Sequence, residues 1–315
     1  MWRIAGVSAG GGLSMSIMPN KPLLAVPNVS EGRVQTTVDA IARAFTAHGR
    51  SRLLDVHSDP DHHRSVFTLA GEQGELSNAL LAGSRVAVER IDVGVGRELA
   101  DIGQHPHVGA VDVMPVVYFE ASQRGAACAE ALVVAHELGE NLGVPVFLYG
   151  ELAAGRTRAE LRRGGVNALA ERIGSRELCP DFGPARLHST AGATLVAARE
   201  PLVAFNLELA APASAADASR IATLIREGGT EGMPGVRAIG VSLRDGTVGQ
   251  VSTNVERPLE VPLRMVVEAV SRHAEVARAE LVGLAPRAAL EGFPAGVGLG
   301  DFDPGTHVIE NALGF

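Results

Sequence analysis

The chain has 315 residues, 46% of them hydrophobic and 4% aromatic, and its formal net charge at pH 7 is −8. This length supports a sizeable aliphatic core and predicts two domains rather than one. The acidic balance argues against bulk nucleic-acid binding, which normally leaves a basic face on the protein.

The sequence carries no signal for a membrane or for secretion. No apolar run approaches the roughly 20 residues of a membrane span, and the first 20 residues lack the basic start and apolar segment of a signal peptide. We interpret residues 1–20 as a loose lead-in. Cys128 and Cys179 are far apart and do not predict a disulfide framework, which fits a reducing cytoplasm.

The first half of the chain predicts alternating strands and helices in the order β-α-β-β-α-β, the split βαβ arrangement. Its helices show apolar residues at the spacing of one helix face, and its strands are short apolar runs bounded by turn residues. A further helix and strand follow. The predicted ranges are strand 22–27, helix 33–48, strands 52–57 and 64–70, helix 72–91, strand 111–119, helix 122–142 and strand 144–149.

Residues 150–184 are rich in Gly and Arg, and we predict that they form a connecting segment with one helix. After this segment the β-α-β-β-α-β order repeats. Arg244-Asp-Gly246 is a strong hairpin signal within this second half. The predicted ranges are helix 158–173, β-rich residues 193–209 with a break near Pro201, helix 214–227, strands 236–243 and 248–254, helix 262–279 and strand 280–284.

These patterns predict an α+β fold of two ferredoxin-like (βαββαβ) subdomains, with mostly antiparallel sheets covered by helices. We place the N-terminal subdomain at residues 21–182 and the C-terminal subdomain at residues 183–315. The cleft between the two halves is the expected place for a ligand.

The stretch His105-Pro-His107 is the first candidate for chemistry. The residue before a proline is pushed toward extended geometry, so His105 should project from a fixed backbone. Gly103 and Gly109 allow sharp chain reversals and the close approach of a ligand. A histidine can both take up and give back a proton near neutral pH. A His-rich surface loop is the alternative reading.

Ten short motifs run in order along the chain after residue 20, and together they resemble the formiminotransferase domain family (glutamate formimidoyltransferase). The motifs are Val26–Arg33, Leu53–Val56 with Asp59–Thr68, His105–Val113, Val144–Glu151, Leu161–Gly164, Pro180–Pro184, Gly192–Thr194, Ala204–Asn206, Gln250–Asn254 and Leu281–Leu284.

The resemblance implies a transferase of histidine degradation and one-carbon metabolism; the cytoplasmic location is the one that the two cysteines favour. It implies transfer of the formimino group of N-formiminoglutamate to N5 of tetrahydrofolate, whose tail can be polyglutamylated. It also implies a folate cleft between two subdomains, a homodimer, and no metal. Some members carry a helical cyclodeaminase domain, and that activity is not implied for this chain.

The resemblance also assigns roles to individual residues. It places the catalytic histidine at His105 and a folate-contacting segment at residues 183–192. Arginine forks suit the carboxylates of both substrates, and Arg64, Arg186 and Arg199 lie in matched stretches. The residues expected to bind the folate co-substrate are Gly183, Pro184, Arg186, His188, Thr190, Gly192, Arg64 and His107.

The formamidinium group of the donor is a cation, so the site needs a carboxylate to hold it. Asp55 and Asp112 each lie at the end of a predicted strand and are the candidates, although both could instead be cap or turn residues. With His105 they form the predicted catalytic set.

Several positions depart from the family pattern. Ile102, Gln104 and His107 stand where the family commonly has Lys, Glu and Arg, His63 stands at a common Asn, and Ala191 stands at a Trp of some members. These changes leave two alternatives open. One is a folate-binding paralogue that is non-catalytic or has altered specificity.

The other alternative is a metal-dependent amidohydrolase, because imidazole and carboxylate ligands occur on two neighbouring loops and could hold zinc. The spacing matches no regular zinc motif, so we expect no metal. The possible ligands are His57, Asp59, Asp61, His62, His63, His105 and His107.

Overall fold

The computed structural model describes residues 21–47, 49–96, 106–243 and 246–314. Within these ranges the chain forms one sheet of seven strands and one of four. The predicted lead-in over residues 1–20 lies outside the described residues. The strands are β1 (Leu23–Ala25), β2 (Asn28–Val29), β3 (Ser51–Asp59), β4 (Arg64–Gly71), β5 (Val111–Val117), β6 (Val146–Leu148), β7 (Thr194–Arg199), β8 (Val203–Leu209), β9 (Val236–Leu243), β10 (Val248–Val255) and β11 (Val276–Val282).

The α-helices of the described ranges follow the predicted periodicity. In the first of them, Val38, Ile41 and Phe45 form the buried stripe, as their spacing predicts. The helices are α1 (Gln35–Thr46), α2 (Leu76–Arg90), α3 (Arg124–Leu142), α4 (Arg158–Arg162), α5 (Gly165–Gly174), α6 (Ala215–Ile225), α7 (Leu263–Ser271), α8 (Pro304–His307) and α9 (Ile309–Leu313).

The first sheet is built on the predicted β-α-β-β-α-β unit. β1 and β2 are consecutive segments of one strand line, since both pair antiparallel with β4 and with β5. The edge strand β3 pairs antiparallel with β4. Beyond β5 the sheet continues into β7 and β6, which run parallel to it. Parallel neighbours need long crossover connections, and α3, α4 and α5 supply them.

The helices leave part of the first sheet uncovered. Helices α1, α2 and α3 share one core with residues such as Phe67, Leu69 and Met114. The short helices α4 and α5 pack on the opposite face, with Val113 and Leu195. That opposite face is covered by α4 and α5 at the β7–β6 end and by α9 over Leu24, Ala70 and Val117, where Ile309 packs.

The second sheet has the order β11-β8-β10-β9 and is antiparallel throughout. Helices α6 and α7 cover one face, where Phe205, Ile221 and Val266 share a core. The order β8-α6-β9-β10-α7-β11 repeats the split βαβ unit. The structure thus confirms the α+β class with two sheet subdomains and mostly antiparallel pairing.

The structure corrects the details of three predicted segments. The helix predicted at 158–173 is two helices, because Gly164 adopts a left-handed φ of 77° between them. The helix predicted at 262–279 ends at Ser271, because residues 276–282 pair with β8 instead. The β-rich residues 193–209 divide between the two sheets.

This division bears on the subdomain boundary. The sequence reading ended the N-terminal subdomain at residue 182, whereas β7 (residues 194–199) is a strand of the first sheet and β8, from Val203, opens the second. Sheet membership therefore divides the chain between Arg199 and Val203. Within the described residues, no helix is both long enough and apolar enough to span a membrane.

Candidate active site

The sheet faces that lie opposite α1–α3 and α6–α7 meet around an open cleft of about 750 Å³, open solvent included, which Ile309 of α9 also lines. Alternate residues of a strand point to one face, so one set of side chains on each strand lines the cleft. Val66, Val113 and Pro115 line it from the first sheet, and Ala204 and Val282 line it from the second.

Four arginines enter this apolar cleft: Arg64, Arg158, Arg162 and Arg199. Arg64 begins β4 and Arg199 ends β7, so both are fixed by the first sheet. Arg158 and Arg162 lie one turn apart on α4, a spacing that puts two side chains on one helix face. A capping box of Thr157 with Glu160 starts that helix, which stabilises a segment otherwise too short to hold two cations in place.

The cleft carries an excess of positive charge among the described residues. Asp112 contacts Arg162, Glu256 lies 3.8 Å from Arg158, and Asp59 is the nearby carboxylate for Arg64. Desolvation and the neighbouring guanidinium of Arg162 lower the pKa of Arg64 to about 10. Groups crowded in this way bind an anion favourably, because the anion relieves their mutual repulsion.

Arg199 shows the same effect at the other end of the cleft. Its pKa is lowered to about 10, mainly by burial, while the nearby Tyr149 hydroxyl opposes the shift. The Nε of Arg199 and the Tyr149 hydroxyl are both buried and form no hydrogen bond of regular geometry within the described residues. A buried donor without such a bond is costly unless a ligand accepts from it.

Asp112 ties the loop before β5 to helix α4. Its side chain is 2% exposed, and it accepts hydrogen bonds from the Val108 backbone N–H at 2.8 Å and from Arg162. The carboxylate therefore fixes the backbone next to His107 and holds one of the cleft arginines. The bond from the Val108 N–H is of the kind that a turn aspartate accepts, one of the two roles predicted for Asp112.

Three histidines lie beside Arg64 at one end of the cleft. His62, His63 and His107 line a narrow crevice, the histidine cavity, together with Ser30, Arg64 and Asp112; it is too narrow to hold a water molecule. The β3–β4 turn supplies the first two histidines, and the loop before β5 supplies the third. The structure thus brings together three predicted site residues, namely Arg64, His107 and Asp112.

His63 has an unusual backbone and an oriented ring. Its φ is +50°, in the left-handed region that a non-glycine residue rarely adopts. Its Nδ1 accepts a hydrogen bond from the Gly32 N–H at 3.1 Å and lies 3.4 Å from Glu31 Oε1. Burial lowers the pKa of His63; the nearby Glu31 carboxylate opposes the shift, whereas Arg33 and His107 reinforce it. This environment favours the neutral imidazole near pH 7.

The neighbouring His62 anchors the same turn. Its Nδ1 lies 3.1 Å from Asp59 Oδ2, and the ring is 2% exposed. Burial disfavours the charge on Asp59, but the hydrogen bond and the charge of His62, with two backbone N–H donors, outweigh it and lower the pKa of Asp59 to about 2. The ion pair stabilises the turn that presents Arg64 and His63.

The remaining predicted residues are placed differently. His105 lies outside the described residues. Asp55 lies on β3, and its Oδ1 is 3.9 Å from Nε2 of His307, which belongs to α8. It faces the second subdomain without lining the cleft or the histidine cavity. Burial raises the pKa of Asp55 against the opposing effect of His307 and His57.

The segment predicted to bind folate lies next to the His107 loop. Gly192 bridges Gly109 and His188, and the Ala193 N–H donates to the Val108 carbonyl at 2.9 Å. His188 Nδ1 accepts from the Ala191 N–H at 3.1 Å, which closes the turn over Thr190. Gly183 packs against helix α3 at Gly139, with Pro184 next in the chain, and Arg186 is exposed. Among the described residues, the arginine cleft is lined by none of this segment.

The ligands considered for zinc do not converge in the described part of the chain. No three His, Cys, Asp or Glu side chains there form a group that could hold a metal ion. The His62 ring contacts Asp59, and the His63 ring contacts Gly32 and Glu31. Both imidazoles therefore already contact protein groups.

Arg158 and Arg162 are the site residues that the sequence pattern did not single out. The cluster of arginines between residues 156 and 163 was visible, but most arginines of such a segment are solvated. The signal that could have identified them is the i, i+4 pair directly after a capping box, since that geometry directs both side chains to one side.

The fold and the cleft define a class of protein. Two ferredoxin-like subdomains enclose an apolar, arginine-lined cleft with histidines at one end, which suits an enzyme acting on small anionic substrates. The sequence comparisons are specific. Residues 23–199 match the N-terminal subdomain of the formiminotransferase domain, and residues 204–292 match the formiminotransferase domain that follows it. The chain belongs to the formiminotransferase domain family.

Relatives in bacteria, archaea and animals agree with this assignment. Glutamate formimidoyltransferase of Streptococcus pyogenes serotype M1 is 33% identical over 91% of this chain and 97% of that protein. The protein of the same name from Thermoplasma acidophilum is 33% identical over 84% of this chain and 88% of its own length. Formimidoyltransferase-cyclodeaminase of Sus scrofa is 38% identical over 84% of this chain, which spans 50% of that protein.

Proposed function

We propose that this protein is a glutamate formimidoyltransferase, which moves the formimino group of N-formiminoglutamate to N5 of tetrahydrofolate. The observation that carries the proposal is the arginine-lined cleft between the two sheet faces, with the histidine cavity at its end. Named relatives of similar length support the same reaction.

The four cleft arginines fit the charges of the two substrates. The donor has two carboxylates and the acceptor carries at least one glutamate, whether its tail is single or polyglutamylated. Guanidinium groups bind carboxylates through paired hydrogen bonds. Arg64 and Arg162 lie toward the histidines, so they suit the donor. Arg158 and Arg199 lie toward the β7 end, and they suit the glutamate of the acceptor.

The apolar residues of the cleft fit the flat ring system of tetrahydrofolate. Val66 and Val113 form one wall, and Val282 forms part of the other. Buried Arg199 Nε and Tyr149 hydroxyl atoms offer polar contacts next to this wall. When bound, tetrahydrofolate supplies the nitrogen that receives the group. The segment from Gly183 to Gly192 is proposed to contact it near the His107 loop.

Proton transfer is assigned to histidine. The nitrogen that receives the group must lose a proton, and the departing glutamate nitrogen must gain one. A single imidazole can perform both transfers in turn, and we assign them to His105. Asp112 and Asp55 are the proposed carboxylates for the donor cation, with Asp112 the better placed because it lies beside the histidine cavity.

The assay that tests the proposal uses purified protein with formiminoglutamate and tetrahydrofolate. Product is followed through the absorbance of the 5,10-methenyl derivative that forms after acid treatment. Release of glutamate that needs no tetrahydrofolate would instead identify a hydrolase, and folate binding without turnover would identify a binding paralogue. Full activity after chelation is expected, since the proposal includes no metal.

The proposal also includes a homodimer and a cytoplasmic location. Light scattering on the purified protein tests the first, and fractionation of the source cells tests the second. A monomeric and fully active protein would remove the dimer from the proposal without affecting the assigned reaction.

A further inference from the structure

A histidine–carboxylate pair joins the two sheets beside the cleft. His57 on β3 and Glu280 on β11 approach to 3.5 Å between Nε2 and Oε1. Asn206 on β8 donates from Nδ2 to the other carboxylate oxygen of Glu280 at 2.8 Å. The imidazole is therefore oriented by a carboxylate, and that carboxylate is oriented by a buried amide that is 2% exposed.

Strand register places this group next to the cleft. His57 pairs with Val66 across β3 and β4, and Val66 lines the cleft. Glu280 and Asn206 are register partners, and each lies two residues from a cleft residue on its own strand, Val282 and Ala204 respectively. Since alternate residues share a face, His57, Glu280 and Asn206 occupy the row of side chains adjoining the cleft.

The surroundings of His57 are suited to a proton acceptor. Its side chain is 22% exposed although Nε2 is buried, and that of Glu280 is 26% exposed, so the exposed part of the imidazole is not the nitrogen that faces Glu280. Asp55 on the same strand adds a second carboxylate, which faces His307 of α8. On the second sheet, Arg278 is held by Glu208, and on β4 the nearest cation is Arg64. Carboxylates of both subdomains thus face an imidazolium at this position.

We propose that His57, oriented by Glu280 and Asn206 across the subdomain interface, is a second proton-transferring residue of the cleft. The proposal rests on the transferase function proposed above. It assigns to His57 a role that differs from the metal-ligand role considered for it in the sequence.

The step balances as a proton transfer. A bond forms between the receiving nitrogen and the formimino carbon, and the proton on that nitrogen passes to His57. The imidazolium is stabilised by Glu280 until the bond between the same carbon and the glutamate nitrogen breaks. The departing glutamate nitrogen takes its proton from His105, so the two transfers assigned to His105 above are divided between His57 and His105; no net proton is gained or lost and no oxidant is needed.

The test compares this pair with a second pair of similar geometry. His273 Nε2 lies 2.9 Å from Glu231 Oε1, with side-chain exposures of 20% and 33%, and the pair joins the segments that follow α6 and α7, on the helix-covered side of the second sheet. The variants are His57→Ala, Glu280→Gln, His273→Ala and Glu231→Gln. Transferase kcat, KM and the pH dependence of kcat/KM are measured for each, with thermal melting to confirm folding.

We expect His57→Ala to lower kcat by roughly 10²- to 10⁴-fold, the effect of a positioned acid or base, with KM changed less than threefold. Added imidazole should restore part of the rate. Glu280→Gln should lower kcat about tenfold or more and move the acid limb of the rate profile to lower pH, because the imidazolium loses its carboxylate partner. The two control variants should leave kcat and the profile unchanged.

Two outcomes overturn the inference. If His57→Ala and Glu280→Gln lower only the melting temperature, as the controls do, the pair is structural and the transferase assignment is unaffected. If the unaltered protein transfers nothing, the proposed function fails and this inference fails with it. Should His57→Ala not fold, the pH profile of Glu280→Gln decides the question.

Discussion

Arg64 is the residue that links the cleft to the histidine cavity, since it lines both. The lowered pKa of its guanidinium reflects burial and repulsion by Arg162. Without a bound anion, the buried charge of Arg64 lowers the stability of the folded protein. We therefore expect Arg64 to contribute to substrate binding and not to folding stability.

The variant Arg64→Met tests this distinction. Loss of a charge-assisted hydrogen bond, about 1.5–3 kcal/mol, should raise KM for the donor roughly 10- to 100-fold with a smaller change in kcat. Stability should not fall, because repulsion within the cleft is relieved. Arg163→Met, whose parent side chain is 73% exposed, is the control. An unchanged KM in Arg64→Met would remove Arg64 from the donor site.

Asp59, unlike Arg64, stabilises the folded protein through its charge. Its pKa is about 2 in the folded protein, against 3.9 for an unperturbed aspartate. The stabilisation is therefore present above pH 4 and is lost as pH falls toward 2, because protonation then removes the contact with His62. It amounts to at most about 2–3 kcal/mol.

Asp59→Asn should lower the free energy of unfolding by about 1–2 kcal/mol at pH 7 and flatten its decline between pH 4 and 2. Urea unfolding at several pH values measures both effects. Asp61→Asn removes a charge from the same turn and should leave that decline in place. If the free energy of unfolding of Asp59→Asn fell between pH 4 and 2 as steeply as that of the unaltered protein, the contact with His62 would contribute nothing to stability.

His105 and His107 flank Pro106, and their roles are separable by kinetics. His105→Ala should lower turnover roughly 10²- to 10⁴-fold with little loss of folate affinity. His107→Ala should chiefly weaken binding of the anionic substrate at low pH, because protonated His107 would add charge beside Arg64. Stopped assays with both substrates varied give these parameters. The reverse pattern would show that His107 transfers the proton.

At the scale of elements, the His107 loop and the residue 188–193 segment are held together by backbone contact. A Cβ on Gly109 would lie 1.8 Å from the Ala193 carbonyl oxygen, and one on Gly192 would lie 2.2 Å from the Val108 carbonyl oxygen. Side chains are excluded from both positions, so two parts of the predicted site share one close-packed junction.

Gly109→Ala should therefore destabilise the protein by about 1–3 kcal/mol, the usual cost of overpacking, and should also lower activity by displacing His107. Gly125→Ala is the matched control. It lies in helix α3 with no atom within 4 Å of the added Cβ, and it should stabilise by about 0.5–1 kcal/mol. Thermal melting and kcat of both variants decide the matter. Normal activity in Gly109→Ala would show that the junction does not position the histidine.

The local elements were predictable because their signals are local. The stripe of Val38, Ile41 and Phe45 and the capping box of Ser214 with Asp217 mark helices in the sequence itself. Pairings between distant strands leave no such mark. Residues 193–209 show β character throughout, and only the assembled sheets reveal that β7 joins β5 while β8 opens the second sheet.

The site was predictable to the extent that motifs named its residues. Arg64, His107 and Asp112 were identified and lie together. Asp55 could not be placed, because its neighbour His307 is far along the chain. Arg158 and Arg162 could not be distinguished from surface arginines, because their position depends on α4 packing over the end of a sheet formed by other segments.

At the scale of the whole molecule, neither sheet contains the complete site. The first sheet supplies the arginines and histidines, and the second supplies the facing wall and Glu280. Only three residues, Glu200 to Leu202, connect the last strand of one sheet with the first strand of the other. Two of them, Pro201 and Leu202, line the cleft themselves.

That short connection makes the cleft equivalent to a tethered two-component complex. A short linker gives its two ends an effective local concentration of roughly millimolar. If a protease site is placed at residues 200–202 and cleaved, specific activity should fall on dilution and recover on concentration, while the uncut protein is insensitive to dilution. Dilution-independent activity of the cut protein would show that the sheet faces bind each other tightly unaided. If activity falls on dilution as expected, a single cleavage within these three residues inactivates the protein only at low protein concentration.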